Sequence, residues 1–555
     1  MDEKISFIPL GGVSDVTRNM YLYGYKDEIL IVDCGLGFAD ETMLGVDLLL
    51  PDITYLQNLI KTGGKKIVGM ALTHGHEDHI GSLPFVLPEL PQFPIFASPL
   101  TAALANEKLK EFEVQNRVKT VEFGGGEINV GSFRLSFIRI THSVPDTSNI
   151  FVRTPVGNFY HGSDFKFDET PYDGKTTDFA KIEEVSKEGI LCLFSDSLRA
   201  EKKGHTPSEI KLTEAFDNAM GQTKGKFIVT TYSSNLSRVN QVVDVAKKYQ
   251  RKVCFIGRSM IKAKEIGQNL GYVKIENGME ISIEQIKNFK DFELCLIVAG
   301  SQAQENSALT RIINDDFREV KIKNTDTIVF SADPIPGNET SIYALVDTIS
   351  KKGAEVIYSE VSDGFHVSGH AAEDDLIKMI HLTNPKKVLP IGGTYRQMVA
   401  YKNLAKKAGI AENNIIIIEN GQEVIFSKDS FVLGKKIKLE KVYMDGISGE
   451  EVESFVLRDR QKLAKDGLIV IIAEIDSSNG QVVDKPDIIA RGMSVVETRD
   501  LNRNLVQELK RGLDRKGQKI TDWIYVRKLI GEISERYIYR KLRKRPLVLP
   551  IVIEV

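Results

Sequence analysis

Between residue 5 and about residue 165, apolar positions come in short β-branched runs broken by Gly, Pro and Asp: "KISFIPLGG", "EILIVDCG", "KIVGMALTHG", "FPIFASP", "FRLSFIRITHS" and "NFYHGSDF". Runs of this length and composition predict strands, and each delivers polar residues at its C-terminal end. A helical stretch, "LTAALANEKLKEFEV" (100–114), falls between them. Strands mixed with helices in this way imply a layered α/β domain, not an all-β sandwich.

From about 209 to 374 the pattern changes to regular alternation. "KFIVTTYSSN", "KVCFIG", "ELCLIVAG", "TIVFSADP" and "AEVIYSE" are continuous apolar runs separated by helical patterns such as "LSRVNQVVDVAKKYQ". Buried strands with helical crossovers predict a parallel sheet, and their Ser, Gly and Asn ends predict a ligand crevice at its carboxyl edge. The first pattern returns over 375–435 with "KKVLPIGGTY" and "NIIIIENGQEVIF". The segment 436–450, within "VLGKKIKLEKVYMDGISGEE", is expected to be a linker. Residues 451–555 predict another α/β unit, with "LIVIIAEI", the helices "RDLNRNLVQELKRGL" and "TDWIYVRKLIGEISERYIYRKL", and a final strand "PLVLPIVIEV". The domain segments expected are therefore 1–208, 209–374, 375–435 and 451–555.

A length of 555 residues suits roughly two to four domains. Hydrophobic content of 42% and charged content of 27% are those of a globular protein with a sizeable core. The net charge of −3 excludes a polycation, so any nucleic acid must be handled in a local groove. Four dispersed cysteines without a CxxC pair point to a reducing compartment. The acidic start "MDEKISFIPLGG" is not a signal peptide, and apolar stretches such as "GLIVIIA" are strand-sized. A cytoplasmic protein with no membrane partner is expected.

Candidate chemistry is concentrated in "ALTHGHEDHIG" (71–81), where His74, His76, Asp78 and His79 follow a buried strand. The following "IGSLPFVLPEL" reads as a helix start. Imidazoles joined by a carboxylate suit zinc, manganese or iron in a hydrolytic site. His142 and Asp164, at two other strand ends, supply further donors, and a carboxylate such as Asp164 can bridge two ions. Asp33, closing "EILIVDCG", is placed to orient a ligand histidine. His161, His205 and His381 each stand alone and read as structural or surface residues. The loops "SSN" (233–235), "GSQ" (300–302), "SADP" (331–334) and "SGH" (368–370) offer hydroxyls and free N–H groups suited to phosphate.

The motifs "THGHEDHIG" (73–81), "THSVPD" (141–146), "GSDFKFD" (162–168), "LFSDS" (193–197), "GRSM" (257–260), "PIPGNE" (334–339), "HVSGH" (366–370), "VLRDR" (456–460) and the tail "KRPLVLPIVIEV" (544–555) resemble the β-CASP nucleases of the metallo-β-lactamase superfamily, specifically the ribonuclease J family. The resemblance runs nearly end to end. It implies a metallo-β-lactamase αββα sandwich split over 1–208 and 375–435, an inserted β-CASP α/β domain at 209–374, and a small C-terminal α/β domain at 451–555 of dimerisation type. It implies a metal-dependent ribonuclease of RNA processing and decay, acting on single-stranded RNA as an endonuclease and a 5′→3′ exonuclease by two-metal hydroxide attack. One or two divalent ions, zinc or manganese, fall on His74, His76, Asp78, His79, His142 and Asp164. Asp78, Asp196 and His366 match catalytic positions; Ser368, Gly369 and His370 match a phosphate site, with Ser234 and Ser331 as further candidates. Partners implied are single-stranded RNA and a homodimer, a homotetramer or a hetero-oligomer with a paralogous subunit.

Two departures stand out. The family carries a histidine in Pro-Ile-His-Gly-Glu-Tyr-Arg that completes the second metal; here the segment is "PIGGTYR" (390–396), with Gly392 at the ligand position and no obvious substitute histidine. The family's Gly-Glu-Ile-Gly-Lys-Asn is replaced by "SDVTRN" (14–19). The expectations are a nuclease of reduced activity or, alternatively, a weakly active accessory or scaffold subunit of a ribonuclease J complex. A small-molecule hydrolase fits the β-CASP-like insertion and "HVSGH" poorly.

Overall fold

The computed structural model describes residues 3–555 apart from 41, 336–337, 359–363, 447–448, 477–482 and 515–522. Pro336 and Gly337 of "PIPGNE", and Thr521 and Asp522 of the last helical pattern, therefore lie outside the described residues. The chain divides into two compact units: Met1–Phe38 with Leu49–Lys441, and Ala39–Leu48 with Val442–Val555.

In the larger unit, alternating apolar residues build two facing sheets. The eight-stranded sheet runs, in spatial order, through Phe431–Lys436, Gln422–Phe426, Ile5–Gly11, Met20–Tyr25, Glu28–Val32, Lys66–Leu72, Ile95–Ala97 and Val118–Thr120. The six-stranded sheet runs through Lys387–Ile391, Cys192–Asp196, Asn158–Gly162, Ser148–Arg153, Phe133–Arg139 and Ile128–Val130. Phe7, Tyr23 and Val32 from one sheet meet Phe133, Phe159 and Phe194 from the other in a shared core. Each such fully buried side chain contributes about 1.5–3 kcal/mol over its exposed state.

Helices cover the outer faces. Leu56, Leu83, Ala105 and Leu109 pack on the first sheet, and Ile182, Leu376, Met379 and Tyr401 pack on the second. This is the layered α/β domain that the mixed strands and helices predict, in the αββα arrangement that the family resemblance implied.

The inserted region forms a five-stranded sheet, Lys252–Ile256, Leu294–Val298, Phe227–Thr230, Thr327–Phe330 and Glu355–Ile357, parallel throughout. Apolar clusters cover both of its faces, which is why its strands are continuously apolar.

Three local expectations are corrected. The expected helix start after His79 is two four-residue helices, Glu77–Ile80 and Leu83–Val86, followed by a 3-10 turn Leu87–Glu89; Pro84 and Pro88 lack the N–H groups a longer helix would use. The run "NIIIIENGQEVIF" forms a strand only at Gln422–Phe426. Ile415, Ile416 and Ile418 are buried, and among the described residues Ile415 makes only an isolated bridge to Val388. The expected linker is also partly regular, because Lys436 ends a sheet strand and Val442–Met444 is a strand.

In the smaller unit, Leu468–Ile475 lies between the antiparallel Asp487–Arg491 and the parallel Leu547–Glu554. Ile469, Ile471 and Ile475 face Leu505, Leu509, Val526 and Ile530 of the helical segments. Val46, from Ala39–Leu48, packs with Val452 and Leu457 in the same unit. Among the described residues, no helix is long and apolar enough to cross a membrane.

Candidate metal centre

The site grows from strand ends of both sheets in the larger unit. Lys66–Leu72 is followed by Thr73 and His74, Phe133–Arg139 leads to His142, and Asn158–Gly162 leads to Asp164. Cys192–Asp196 ends in Asp196, and Lys387–Ile391 is followed by Gly392. Three donor groups result: His74, His76, His142 and Asp164; Asp78, His79 and Asp164; and Asp164, Asp196 and His370. Within each group the ligand atoms lie within 4.8 Å of one another.

The first group is a set of converging imidazoles. His76 Nδ1 lies 3.1 Å from His74 Nε2 and 3.2 Å from His142 Nε2. Their outer nitrogens are engaged elsewhere. His74 Nδ1 lies 3.1 Å from Thr73 Oγ1, whose own proton goes to Asp33 Oδ2, so the imidazole donates there. His142 Nδ1 donates to the carbonyl of Gly369 at 2.7 Å. Those bonds leave Nε2 of both rings bare toward the group. Burial pushes His76 down to about 3 and His74 and His142 well below the usual histidine range. Three neutral imidazoles and a buried carboxylate are a donor set that fits a divalent metal ion.

Gly369 sits here because nothing larger fits: a Cβ at that position would stand 2.6 Å from His142 Cε1.

The second group is organised by Asp33, a buried non-glycine residue at φ +60°. Its carboxylate accepts from Thr73 N at 2.7 Å, from Thr73 Oγ1 at 2.8 Å and from His79 Nδ1 at 2.8 Å. His79 Nε2 is thereby turned to Asp164 Oδ2 at 3.2 Å and Asp78 Oδ2 at 3.6 Å. Burial opposes charge on His79, but Asp164, Asp78 and Asp33 outweigh it and hold its pKa well above the usual value. Burial raises Asp78 to about 6 against the pull of His79. Asn19, the last residue of "SDVTRN", is buried with its amide 3.2 Å from His79 Nε2 and donating to Asp78 O at 3.0 Å.

In the third group Asp196 meets His370, not the His366 that the resemblance marks as catalytic. Asp196 Oδ2 accepts from His370 Nδ1 at 2.8 Å. His366 is engaged instead by Arg238 at Nδ1, 3.1 Å, and by Asp333 at Nε2, 3.2 Å. Arg238 is fully buried and also holds Glu209, Ser331 O and Val367 O. The loop 366–370 thus turns its second histidine, not its first, toward Asp196. Burial lowers His370, yet Asp196 and Asp164 together raise it to about 9.

The remaining candidates divide. Ser368 Oγ accepts from His370 N at 3.2 Å, and Ser234 is half-buried. Ser331 is fully buried and donates to Phe365 O at 2.6 Å, so its hydroxyl is not available to a phosphate. His161 is a core residue bonded to Tyr23 OH at 2.9 Å, and His381 is exposed. His205 does not stand alone: it pairs with Asp375 at 2.8 Å.

Gly392 has φ +65°, and a Cβ there would stand 3.5 Å from Asp164 Oδ1 and 3.7 Å from Asp196 Oδ1. The backbone therefore aims this position at the donor cluster, with no side chain to fill it. Gly392 N donates to Gly12 O at 2.7 Å, and Ser14 bridges Thr394, so the two departures from the family pattern touch.

Four family models match the chain: "Metallo-beta-lactamase superfamily" over residues 13–222, "Ribonuclease J, beta-CASP domain" over 224–349, "Zn-dependent metallo-hydrolase RNA specificity domain" over 337–417, and "Ribonuclease J C-terminal domain" over 455–555. Ribonuclease J2 of Bacillus subtilis is 32% identical over 100% of this chain and 99% of its own length. Ribonuclease J of Thermus thermophilus is 35% identical over 100% of this chain and 96% of its own length. The chain belongs to the ribonuclease J family.

A solved structure of a protein of unknown function from Enterococcus faecalis covers 76% of this chain and 100% of its own, with a TM-score of 0.52 and 14% identity; it supports the fold alone. Within the ribonuclease J family frame, the donor groups indicate a divalent metal, and the RNA-specificity match points to RNA binding. Neither Asn19 nor Arg238 was singled out as a site residue from sequence. Asn19 carried a faint signal as the end of the altered N-terminal motif, whereas Arg238 sits in the helix Leu236–Lys248 with nothing to mark it but a charge among apolar neighbours.

Proposed function

We propose that this ribonuclease J family member is a metal-dependent ribonuclease that hydrolyses single-stranded RNA, both internally and 5′→3′ from a monophosphorylated end. The observation that carries the reading is the pair of donor groups joined at Asp164. His74, His76, His142 and Asp164 would hold one ion, and Asp78, His79 and Asp164 a second, with zinc or manganese as the ions. When bound, such ions lower the pKa of a water and stabilise charge at phosphorus.

The chain's own residues do the rest. Thr73, Gly369 and Asp33 lock the ring orientation of His74, His142 and His79. Asp196 holds Nδ1 of His370, whose Nε2 lies 4.0 Å from Asp164 Oδ2. His370 in that orientation donates its Nε2 proton to the leaving oxygen, and Asp196 stabilises the ring that does so. Ser368, Gly369 and His370 would contact a substrate phosphate there, with Ser234 as a weaker candidate. Self-association through the smaller unit, as a homodimer, homotetramer or hetero-oligomer with a paralogue, and a cytoplasmic location complete the reading.

The test is cleavage of a 5′-monophosphorylated oligoribonucleotide with Mn²⁺ or Zn²⁺. An Asp78→Ala/His79→Ala double variant should lose more than about 100-fold, the upper range for disturbing a partner of a metal ligand. A second reading, an accessory subunit that hydrolyses little, is favoured by Gly392. Under it the double variant matches the unaltered chain, and Gly392→His raises cleavage. That gain has to be measured against a left-handed φ that costs a non-glycine residue about 1–2 kcal/mol.

A further inference from the structure

The space that Gly392 leaves is bounded by charge. The position its Cβ would take lies within 3.5 Å of Asp164 Oδ1 and 3.7 Å of Asp196 Oδ1. Asp164 turns its other oxygen, Oδ2, to His79 and His74. Asp196 is fully buried, and its Oδ2 is held by His370. Two shielded carboxylates thus point their second oxygens at one unfilled position, with the His370 imidazole within ligand range of both.

We propose that Asp164, Asp196 and His370 form a cation seat beside Gly392, sharing Asp164 with the groups centred on His76 and His79 but adding Asp196 and His370, which neither of them uses. The inference rests on the metal-dependent reading above and adds a site to it. Two carboxylates and one imidazole make an oxygen-rich donor set, which suits Mn²⁺ or Mg²⁺ better than zinc. A side chain at position 392 would occupy this space, so the seat is a consequence of the glycine.

Filling the seat takes His370 out of use. A cation on Nε2 removes the proton that faces the phosphate, and a cation on Nδ1 breaks the bond to Asp196. The seat therefore acts as a brake: at high Mn²⁺ the chain binds an extra equivalent and loses its proton donor.

The experiment is a titration of the full chain with Mn²⁺ alone, reading free ion by electron paramagnetic resonance. A weak equivalent is expected beyond those that disappear in His76→Ala and Asp78→Asn. Asp196→Asn should weaken it by at least about tenfold, the low end of what altering a metal site costs. Gly392→Ala should weaken it too, although it removes no ligand and no charge. Pulsed resonance on that equivalent should detect an imidazole nitrogen that is missing in His370→Ala. Retention of the tight equivalents in each variant confirms that the chain is folded. A weak equivalent that survives Asp196→Asn and Gly392→Ala but is lost in Asp78→Asn overturns the proposal, as does the absence of any extra equivalent. Failure of RNA cleavage with the Mn²⁺ seat intact would sink the nuclease reading and leave the seat standing.

Discussion

On one side of Asp164 stand three neutral imidazoles, two of them, His74 and His142, locked by Thr73 and by the carbonyl of Gly369. On the other side stand Asp78, Asp196, His79 and His370, a charged cluster with a glycine where the family has a further ligand. The imidazole side draws on two strand ends and the loop after the first, and nothing is missing from it. The carboxylate side is held by long-range bonds, Asp33 to His79 and Asp196 to His370, and it is the side on which both family departures fall. Neutral donors cost little to bury, whereas clustered carboxylates need a cation or a protonated histidine nearby. The altered side is therefore the one where occupancy and activity can be tuned.

The comparison breaks most visibly at the imidazole side. His76→Ala removes the nitrogen on which His74 and His142 converge. It should abolish the tight metal equivalent, measured by elemental analysis, and reduce RNA cleavage by more than about 100-fold. A fully metallated, active variant would refute the assignment of that group.

His370→Gln comes next. It should lower kcat by about 10²–10⁴-fold, the contribution of a positioned acid, while the tight metal equivalent and KM stay close to their original values. His366→Gln should leave the metal equivalent and the Asp196–His370 pair intact. A kcat loss in His366→Gln equal to that in His370→Gln would reverse the pairing argued above.

Asp33→Asn tests the support on the carboxylate side. It should weaken the Asp78–His79 equivalent by about 10–100-fold and spare the His74–His76–His142 equivalent. Equal weakening on both sides would mean that Asp33 serves the whole centre through Thr73 and not His79 alone.

The smallest effect belongs to a histidine outside both sides. The Asp375 hydrogen bond raises the pKa of His205 in the folded chain. Its stabilisation is therefore complete below the unfolded value near 6.5 and disappears as pH rises through the higher folded value. The imidazole is largely exposed, so the pair is worth only a few tenths of a kcal/mol. Asp375→Asn should return the His205 titration, followed by NMR, toward the ordinary range.

Much of the site was legible because it is local or repeats a simple pattern. His74, His76, Asp78 and His79 share one loop, and His142 and Asp164 each follow an apolar run that could only be a strand. The Asp196 partner was not legible. His366 and His370 belong to one short motif, and the sequence cannot say which of them the loop presents to a residue 174 positions away. Ser331 failed for a related reason: a hydroxyl at a strand end looks available until the carbonyl of Phe365 is found to accept its proton.

Hydrophobic periodicity and residue type alone determined a layered α/β domain, a parallel sheet over 209–374 and six candidate donors, because each depends on neighbours within one strand or one loop; the two-sheet sandwich came from the family resemblance. Only the tertiary structure decided which histidine meets Asp196, that Arg238 holds His366 away, and that the altered segments at 14–19 and 392–394 touch. Those facts depend on bonds between residues more than a hundred positions apart. Such contacts are specified by packing of the whole core, and no local pattern encodes them.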